Sequence, residues 1–218
     1  MNQEVIAASQ IINHTMYSAL KETINSFDFD QIKAERKHQL NPIIAAIQER
    51  VSKNERVNIN CICTHNSRRS QLSQIWLKIA AMHYKVRKFQ VYSGGTEATA
   101  VFPKVIETVE KQGLRVQALS ESSNPVYAIK YIDEVSPIIC FSKKYANFFN
   151  PQHDYIALMT CNHADKNCPI VTGAAHRFPI PFVDPKVSDN TPEQTETYLN
   201  RSHEIGTEMF FIMSKIVK

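Results

Sequence analysis

The spacing of apolar residues changes near residue 57. Before it, Ile6, Ile11, Ile12, Met16, Leu20 and Ile24, then Ile43, Ile44 and Ile47, recur at three- and four-residue intervals, with no glycine and one proline, Pro42. That period lays an apolar stripe along a helix and predicts two or three helices over residues 1–55. Asn41-Pro42 reads as the start of the last one, with Asn41 as cap and proline in the first turn. This segment holds no catalytic constellation. Its expected role is packing, against the rest of the chain or as the interface of a homodimer.

From Val57 onward, short apolar runs alternate with amphipathic stretches, the pattern of an α/β fold with a parallel sheet. Val57 to Cys63 is the first predicted strand and Arg69 to about Tyr84 the helix after it. Phe89 to Ser93 is the second strand, stopped by Gly94-Gly95, and Pro103 to Gln112 a helix capped by Gly113. Tyr155 to Thr160 and Phe178 to Val183 are the third and fourth core strands. Thr191-Pro192-Glu193-Gln194 reads as a capping box opening a last helix that runs to about Ile216. Two further apolar runs, Val126 to Ile132 and Pro137 to Phe141, read as an inserted hairpin. The expected architecture is a four-stranded parallel sheet flanked by helices, over residues 56–218, preceded by a helical extension over residues 1–55.

At 218 residues the chain can bury a substantial core. Its net charge of +4 is scattered, which favours a small anionic substrate over nucleic acid. Five cysteines, an odd number, and an opening without a charged-then-apolar signal point to a reducing cytoplasm without structural disulfides. No apolar run reaches the roughly 18 residues of a membrane span.

The chemistry concentrates where the first strand ends, in Cys63-Thr64-His65-Asn66-Ser67-Arg68-Arg69-Ser70. A loop of this length between a strand and a helix can wrap its backbone N–H groups around one tetrahedral oxyanion, with the helix dipole adding positive potential. Residues Thr64, His65, Asn66, Ser67, Arg68 and Arg69 are therefore the candidate substrate-binding set, with Arg69 a planar two-pronged donor to the anion. Helix N-termini and adjacent cations favour a thiolate, the competent nucleophile, which makes Cys63 the candidate nucleophile and Ser70 its hydrogen-bond donor. The competing reading is an ordinary buried thiol beside two arginines at a helix start.

Asp184, in Phe182-Val183-Asp184-Pro185, is the candidate general acid, its backbone held extended by the following proline. Taken alone, Asp-Pro is a common turn. Cys161 and Cys168, seven residues apart in a polar segment after the third core strand, read as two accessible thiols of a disulfide relay. His163, Asp165 and His176 lie near enough for a metal site, but no C-x2-C pair accompanies them, and no metal is expected. Cys140 and Cys61 read as core thiols. Alternation along the strand nevertheless puts Cys61 on the face of Cys63, leaving a redox contact open.

In these motifs the chain resembles the low-molecular-weight protein tyrosine phosphatase superfamily, and most closely its thioredoxin-coupled arsenate reductases. The matching elements are residues 63–71, Val91-Tyr92-Ser93-Gly94-Gly95-Thr96-Glu97, Phe102 to Glu107, Cys161 through Cys168-Pro169, and Val183-Asp184-Pro185. The loop and Asp-Pro are common to both branches, whereas the cysteine pair is the arsenate-reductase signature. The resemblance implies attack of Cys63 on arsenate, protonation by Asp184, a Cys63–Cys161 disulfide with release of arsenite, and its transfer to Cys161–Cys168. It implies no bound cofactor, a thioredoxin-like or other thiol reductant as co-substrate, and Asn66 orienting the loop. Three positions depart from the pattern: His65 replaces a usual glycine, Arg68 a frequent further cysteine, and Gln74 an acidic residue that serves a potassium site in some relatives. The alternative activity is a phosphatase acting through a phosphocysteine. Lys186-Val187-Ser188 after Asp-Pro, where tyrosine-specific members carry aromatic residues, weighs against phosphotyrosine. A non-catalytic anion sensor would need neither the nucleophile nor the acid.

Overall fold

A computed structural model of the chain describes residues 15–167 and 170–218. Its strands are β1 (Val57–Cys63), β2 (Phe89–Gly95), β3 (Arg115–Ala118), β4 (Tyr127–Lys130), β5 (Ile138–Cys140), β6 (Tyr155–Met159) and β7 (Ala174–Pro179). Its helices are α1 (Ser18–Asn25), α2 (Ala34–Ser52), α3 (Arg69–His83), α4 (Pro103–Lys111), α5 (Asn162–Asn167) and α6 (Gln194–Ser214). Four strands form a parallel sheet in the order β2-β1-β6-β7. This is the expected α/β architecture. The central strand β1 is buried along nearly its whole length, Asn60 included, whose Nδ2 donates to Tyr145 O (3.2 Å).

The register Cys63↔Gly95 brings the end of β1 level with the Gly94-Gly95 pair. Those glycines answer a close backbone approach. A Cβ on Gly94 would lie 2.4 Å from Tyr145 Cα, and one on Gly95 2.6 Å from Thr64 O. Gly95 N–H donates to Lys143 O (2.8 Å) and Gly95 O accepts from Tyr145 N (2.8 Å), so residues 143–145 pair along the outer side of β2.

Strand β2 is not stopped by Gly94-Gly95 as expected but runs through both, which pair with Ile62 and Cys63. Four further elements differ from the sequence expectation, each for a physical reason. Helix α2 begins at Ala34, and Pro42 lies inside it rather than at its start. Fully buried Leu40, Ile43 and Ile47 form one continuous stripe, whose burial outweighs the single hydrogen bond that Pro42 cannot donate. The inserted hairpin β4–β5 gains a third antiparallel strand, β3, whose largely exposed residues leave no apolar signature. Strand β7 begins at Ala174 and overlaps the expected strand 178–183 only at Phe178 and Pro179. Pro179 and Pro181 withhold alternate donors, so beyond β7 the chain stays on β6 only through Ile180 N to Met159 O (2.9 Å) and Phe182 N to Thr160 O (3.1 Å). The capping box of the last helix does not form. Thr191 Oγ1 donates to Ser188 O and Gln194 Nε2 to Asp189 Oδ1, and α6 starts at Gln194.

The helices of the extension are part of the main core. Leu20, Leu40, Ile43 and Ile47 pack in one cluster with Leu72, Ile75, Trp76, Phe210 and Met213. Phe27 sets its ring edge-on to Trp76 (5.2 Å) and Phe210 (5.1 Å), over Gly206, where a Cβ would stand 2.5 Å from its Cζ. Gly113, at φ +90° after α4, meets Leu20 N in the same tight way. No helix among the described residues is long and apolar enough to cross a membrane.

Since Ile47 is fully buried in this shared core, Ile47→Ala is expected to cost about 2–5 kcal/mol. Urea unfolding should then show one earlier transition for the whole chain. A separate early transition that leaves the sheet intact would mean that the extension folds apart from it.

Candidate active site

Residues 64–68 carry the chain from β1 into α3, and the carbonyl groups of residues 63–67 all find donors on the outside of the loop. Cys63 O accepts from Thr96 N (3.1 Å), Thr64 O from Glu97 N (2.8 Å), and His65 O from Ser142 Oγ (2.8 Å). Asn66 O accepts from Gln71 Nε2 (3.0 Å) and Ser67 O from Phe102 N (3.1 Å). Peptide planes turned this way aim their N–H groups into the loop, beneath the N-terminus of a 15-residue helix. One residue must take the left-handed conformation to close such a curve. It is Asn66, at φ +47°, a residue type that tolerates this region.

Asn66 also ties the loop to the candidate nucleophile Cys63. Its Oδ1 accepts from Lys143 N (3.0 Å), and its Nδ2 donates to Ser70 Oγ (2.9 Å). Ser70 Oγ lies 3.0 Å from Cys63 Sγ, and all of this is buried. A hydroxyl that accepts from Asn66 keeps its own proton to donate to the sulfur.

Arg69, the first residue of α3, donates through Nη1 to Phe182 O (3.0 Å) and through Nη2 to Asp184 Oδ2 (2.5 Å). Asp184 Oδ1 accepts from Lys186 N (3.1 Å), which fixes the carboxyl at the head of a short 3-10 turn. The structure thus brings Cys63, Ser70, Arg69 and Asp184 into one contiguous site. Arg69 Nε is buried without a hydrogen-bond partner. Arg68 is committed elsewhere: its Nε donates to Tyr198 OH (2.6 Å), its Nη2 pairs with Asp189 (2.7 Å), and its guanidinium stacks 4.0 Å from the Phe102 ring. This cage braces the loop from behind rather than facing an anion. His65 is exposed and lies 3.4 Å from Glu97. Gln74, at the position of the acidic residue of some relatives, is buried and donates to Ile139 O (3.1 Å).

Cys161 is buried rather than exposed, because it sits at the start of α5 against the main loop. Its Sγ lies 3.5 Å from Thr64 Oγ1 and accepts from Ala164 N (3.3 Å), and it shares a cluster with Cys63, Ile62 and Met159. Cys168 lies outside the described residues. Cys61 belongs to the main core instead, where burial pushes its thiol far above the ordinary range. Cys140 is likewise buried, its thiol pushed up to about 12. Among the described residues no three His, Cys, Asp or Glu side chains gather as a metal site.

Sequence reasoning overlooked the outer shell of this site. Gln71 braces Asn66 O and Phe141 O together, and Ser142 holds His65 O. Lys143 holds Asn66 through its backbone. Its buried ammonium lies 4.4 Å from the Phe141 ring centroid, and burial brings it down to about 8. These residues act through backbone groups or long-range contacts that leave no local motif. The Arg68–Asp189–Tyr198 cage was foreshadowed only by the second arginine of the loop.

No protein-family model matches the chain. Curated relatives do: among them, an arsenate reductase 2 of Staphylococcus epidermidis is 33% identical over 131 residues, spanning 60% of this chain and 80% of the relative. An arsenate reductase of Bacillus cereus is 31% identical over 124 residues, spanning 57% of this chain and 73% of the relative. Among solved structures, a low molecular weight protein tyrosine phosphatase from Bacillus subtilis superposes with TM-score 0.50 at 12% identity, covering 73% of this chain and 96% of that one. This likeness concerns the fold alone. Together with the loop built around Cys63, the two sequence matches lead to one conclusion: the chain belongs to the arsenate reductase family, enzymes on the fold shared with low-molecular-weight phosphatases.

Proposed function

We propose that this protein reduces arsenate to arsenite, with Cys63 as nucleophile and Cys161 and Cys168 as the relay that passes the oxidation to an external dithiol of the thioredoxin class. The observation that supports this most is the seat of Cys161. A phosphatase needs no second thiol, yet Cys161 Sγ rests on Thr64, the residue after the nucleophile, in the same buried cluster as Cys63. The names of the relatives agree with it.

In this reading arsenate enters the loop, where inward N–H groups and the unpartnered Nε of Arg69 take its oxygens. The Cys63 thiolate bonds to arsenic as one oxygen leaves, protonated by Asp184 to depart as water. The Cys161 thiolate then attacks Cys63 Sγ. An S–S bond forms, the S–As bond breaks, and its electron pair stays on arsenic, so arsenic(V) is reduced to arsenic(III) while two thiolates are oxidised to a disulfide. Cys168 attacks Cys161 Sγ and frees Cys63, and a dithiol reductant resets Cys161–Cys168 by two further exchanges. Hydrolysis of phosphoesters is the second reading, favoured by the Arg69–Asp184 pair at the mouth of the loop, since the first step is common to both.

Turnover experiments separate the two. Cys63→Ser is expected to abolish both arsenate-dependent NADPH oxidation, coupled through thioredoxin and its reductase, and p-nitrophenyl phosphate hydrolysis. Cys161→Ser and Cys168→Ser should each abolish arsenate turnover while phosphoester cleavage survives. Brisk phosphoester cleavage by the native protein with no arsenate turnover would favour the phosphatase. Asp184→Asn, which removes the proton donor, should lower kcat/KM for aryl phosphates by about 100-fold or more. A change of less than threefold would remove Asp184 from the mechanism.

A further inference from the structure

The segment that carries Asp184 is poorly secured by its own backbone. Pro179, Pro181 and Pro185 have no N–H, Val183 is exposed, and the segment's backbone is held by Ile180 N to Met159 O at the end of β6 and Phe182 N to Thr160 O just past it. Two consecutive carbonyls of the segment are instead each held by an arginine. Phe182 O accepts from Arg69 of the anion loop (3.0 Å), and Pro181 O accepts from Arg36 Nη2 (3.3 Å). Arg36 comes from the first turn of α2, in the N-terminal extension.

Arg36 is itself fixed on every side. Its Nε and Nη2 make a fork to Glu208 Oε1 (2.8 Å) and Oε2 (2.9 Å), and its Nη1 donates to Gln39 Oε1 (3.1 Å). Its guanidinium carbon lies 5.0 Å from the centroid of the Phe182 ring. Glu208 is buried on α6, and burial raises its pKa against the opposing pull of Arg36. A planar guanidinium can hold a carboxylate, a carbonyl and an aromatic face at once, which an ammonium cannot. Glu208 is thus the anchor, Arg36 the clamp, and the clamped residues 181 and 182 lead directly to Asp184.

We propose that Arg36 is a positioning residue for Asp184, so that the N-terminal extension completes the general-acid apparatus. The inference rests on the reading of Asp184 as general acid. It gives residues 15–55 a part in catalysis besides packing, through contacts that touch neither the substrate nor Cys63.

The test uses the leaving-group dependence of the first chemical step. Protonation matters more for a basic leaving group, so a displaced acid raises the ratio of kcat/KM for p-nitrophenyl phosphate to that for phenyl phosphate. The full-length native protein, Asp184→Asn, Arg36→Lys and the double variant Arg36→Met/Glu208→Met would be compared. Arg36→Lys keeps a cation against Glu208, and the double variant removes the ion pair as a unit, leaving no buried charge alone. Circular dichroism and thermal unfolding report which variants fold. The ratio is expected to rise strongly in Asp184→Asn and by about tenfold in each folded Arg36 variant. A raised ratio in Asp184→Asn with a native ratio in either folded Arg36 variant would overturn this inference and leave the acid assignment standing. An unchanged ratio in Asp184→Asn, or no ester cleavage by the native protein, would overturn both.

Discussion

The carbonyl groups of Cys63 through Ser67 all turn away from the centre of their loop, and the rest of the site depends on that commitment. A loop is free to point its peptide groups either way, and an anion cradle exists only if the donors face inward. The fold settles the matter by surrounding the loop with partners: Thr96 and Glu97 after the Gly94-Gly95 pair, Phe102 at the start of α4, Gln71 within α3, and Ser142 after β5. Bare glycines at 94 and 95 let the neighbouring backbones come close enough to do so. Asn66, left-handed and hydrogen-bonded at both ends of its amide, links this frame to Ser70 and hence to Cys63.

Much of this was legible in the sequence, and the reasons are specific. The strand-loop-helix around Cys63 is local, so its residue spacing carries its geometry. Of the two central strands of the parallel sheet, β6 is buried throughout and reads as an apolar run, and β1 as one interrupted by Asn58 and Asn60. Elements that depend on distant partners were not legible in the same way. Strand β3 is mostly exposed and forms only because β4 offers an edge. Pro42 looked like a helix start because the burial that holds α2 together on both sides of it comes from α6 and the sheet. The alternating prolines at 179 and 181 interrupt a run that hydrophobicity alone extends to Val183.

The thiols show the same division. Sequence context separated the candidate relay cysteines from the core thiols Cys61 and Cys140, but suggested exposure for Cys161, whose partner surface is the loop after Cys63. Burial there has a chemical consequence for the proposed relay. A thiol held against Thr64 and the amide of Ala164 sits in the same buried cluster as its proposed target Cys63, where water does not compete for it.

In the proposed relay, oxidation passes from Cys63 to Cys161. Mapping the disulfide by mass spectrometry after arsenate is added to fully reduced Cys168→Ser protein tests it most directly. Such a relay releases one equivalent of arsenite per protein and leaves a trapped Cys63–Cys161 bond. Arsenite release with Cys63 bonded to any other cysteine, or arsenate exposure that leaves Cys63 and Cys161 both reduced, would contradict it.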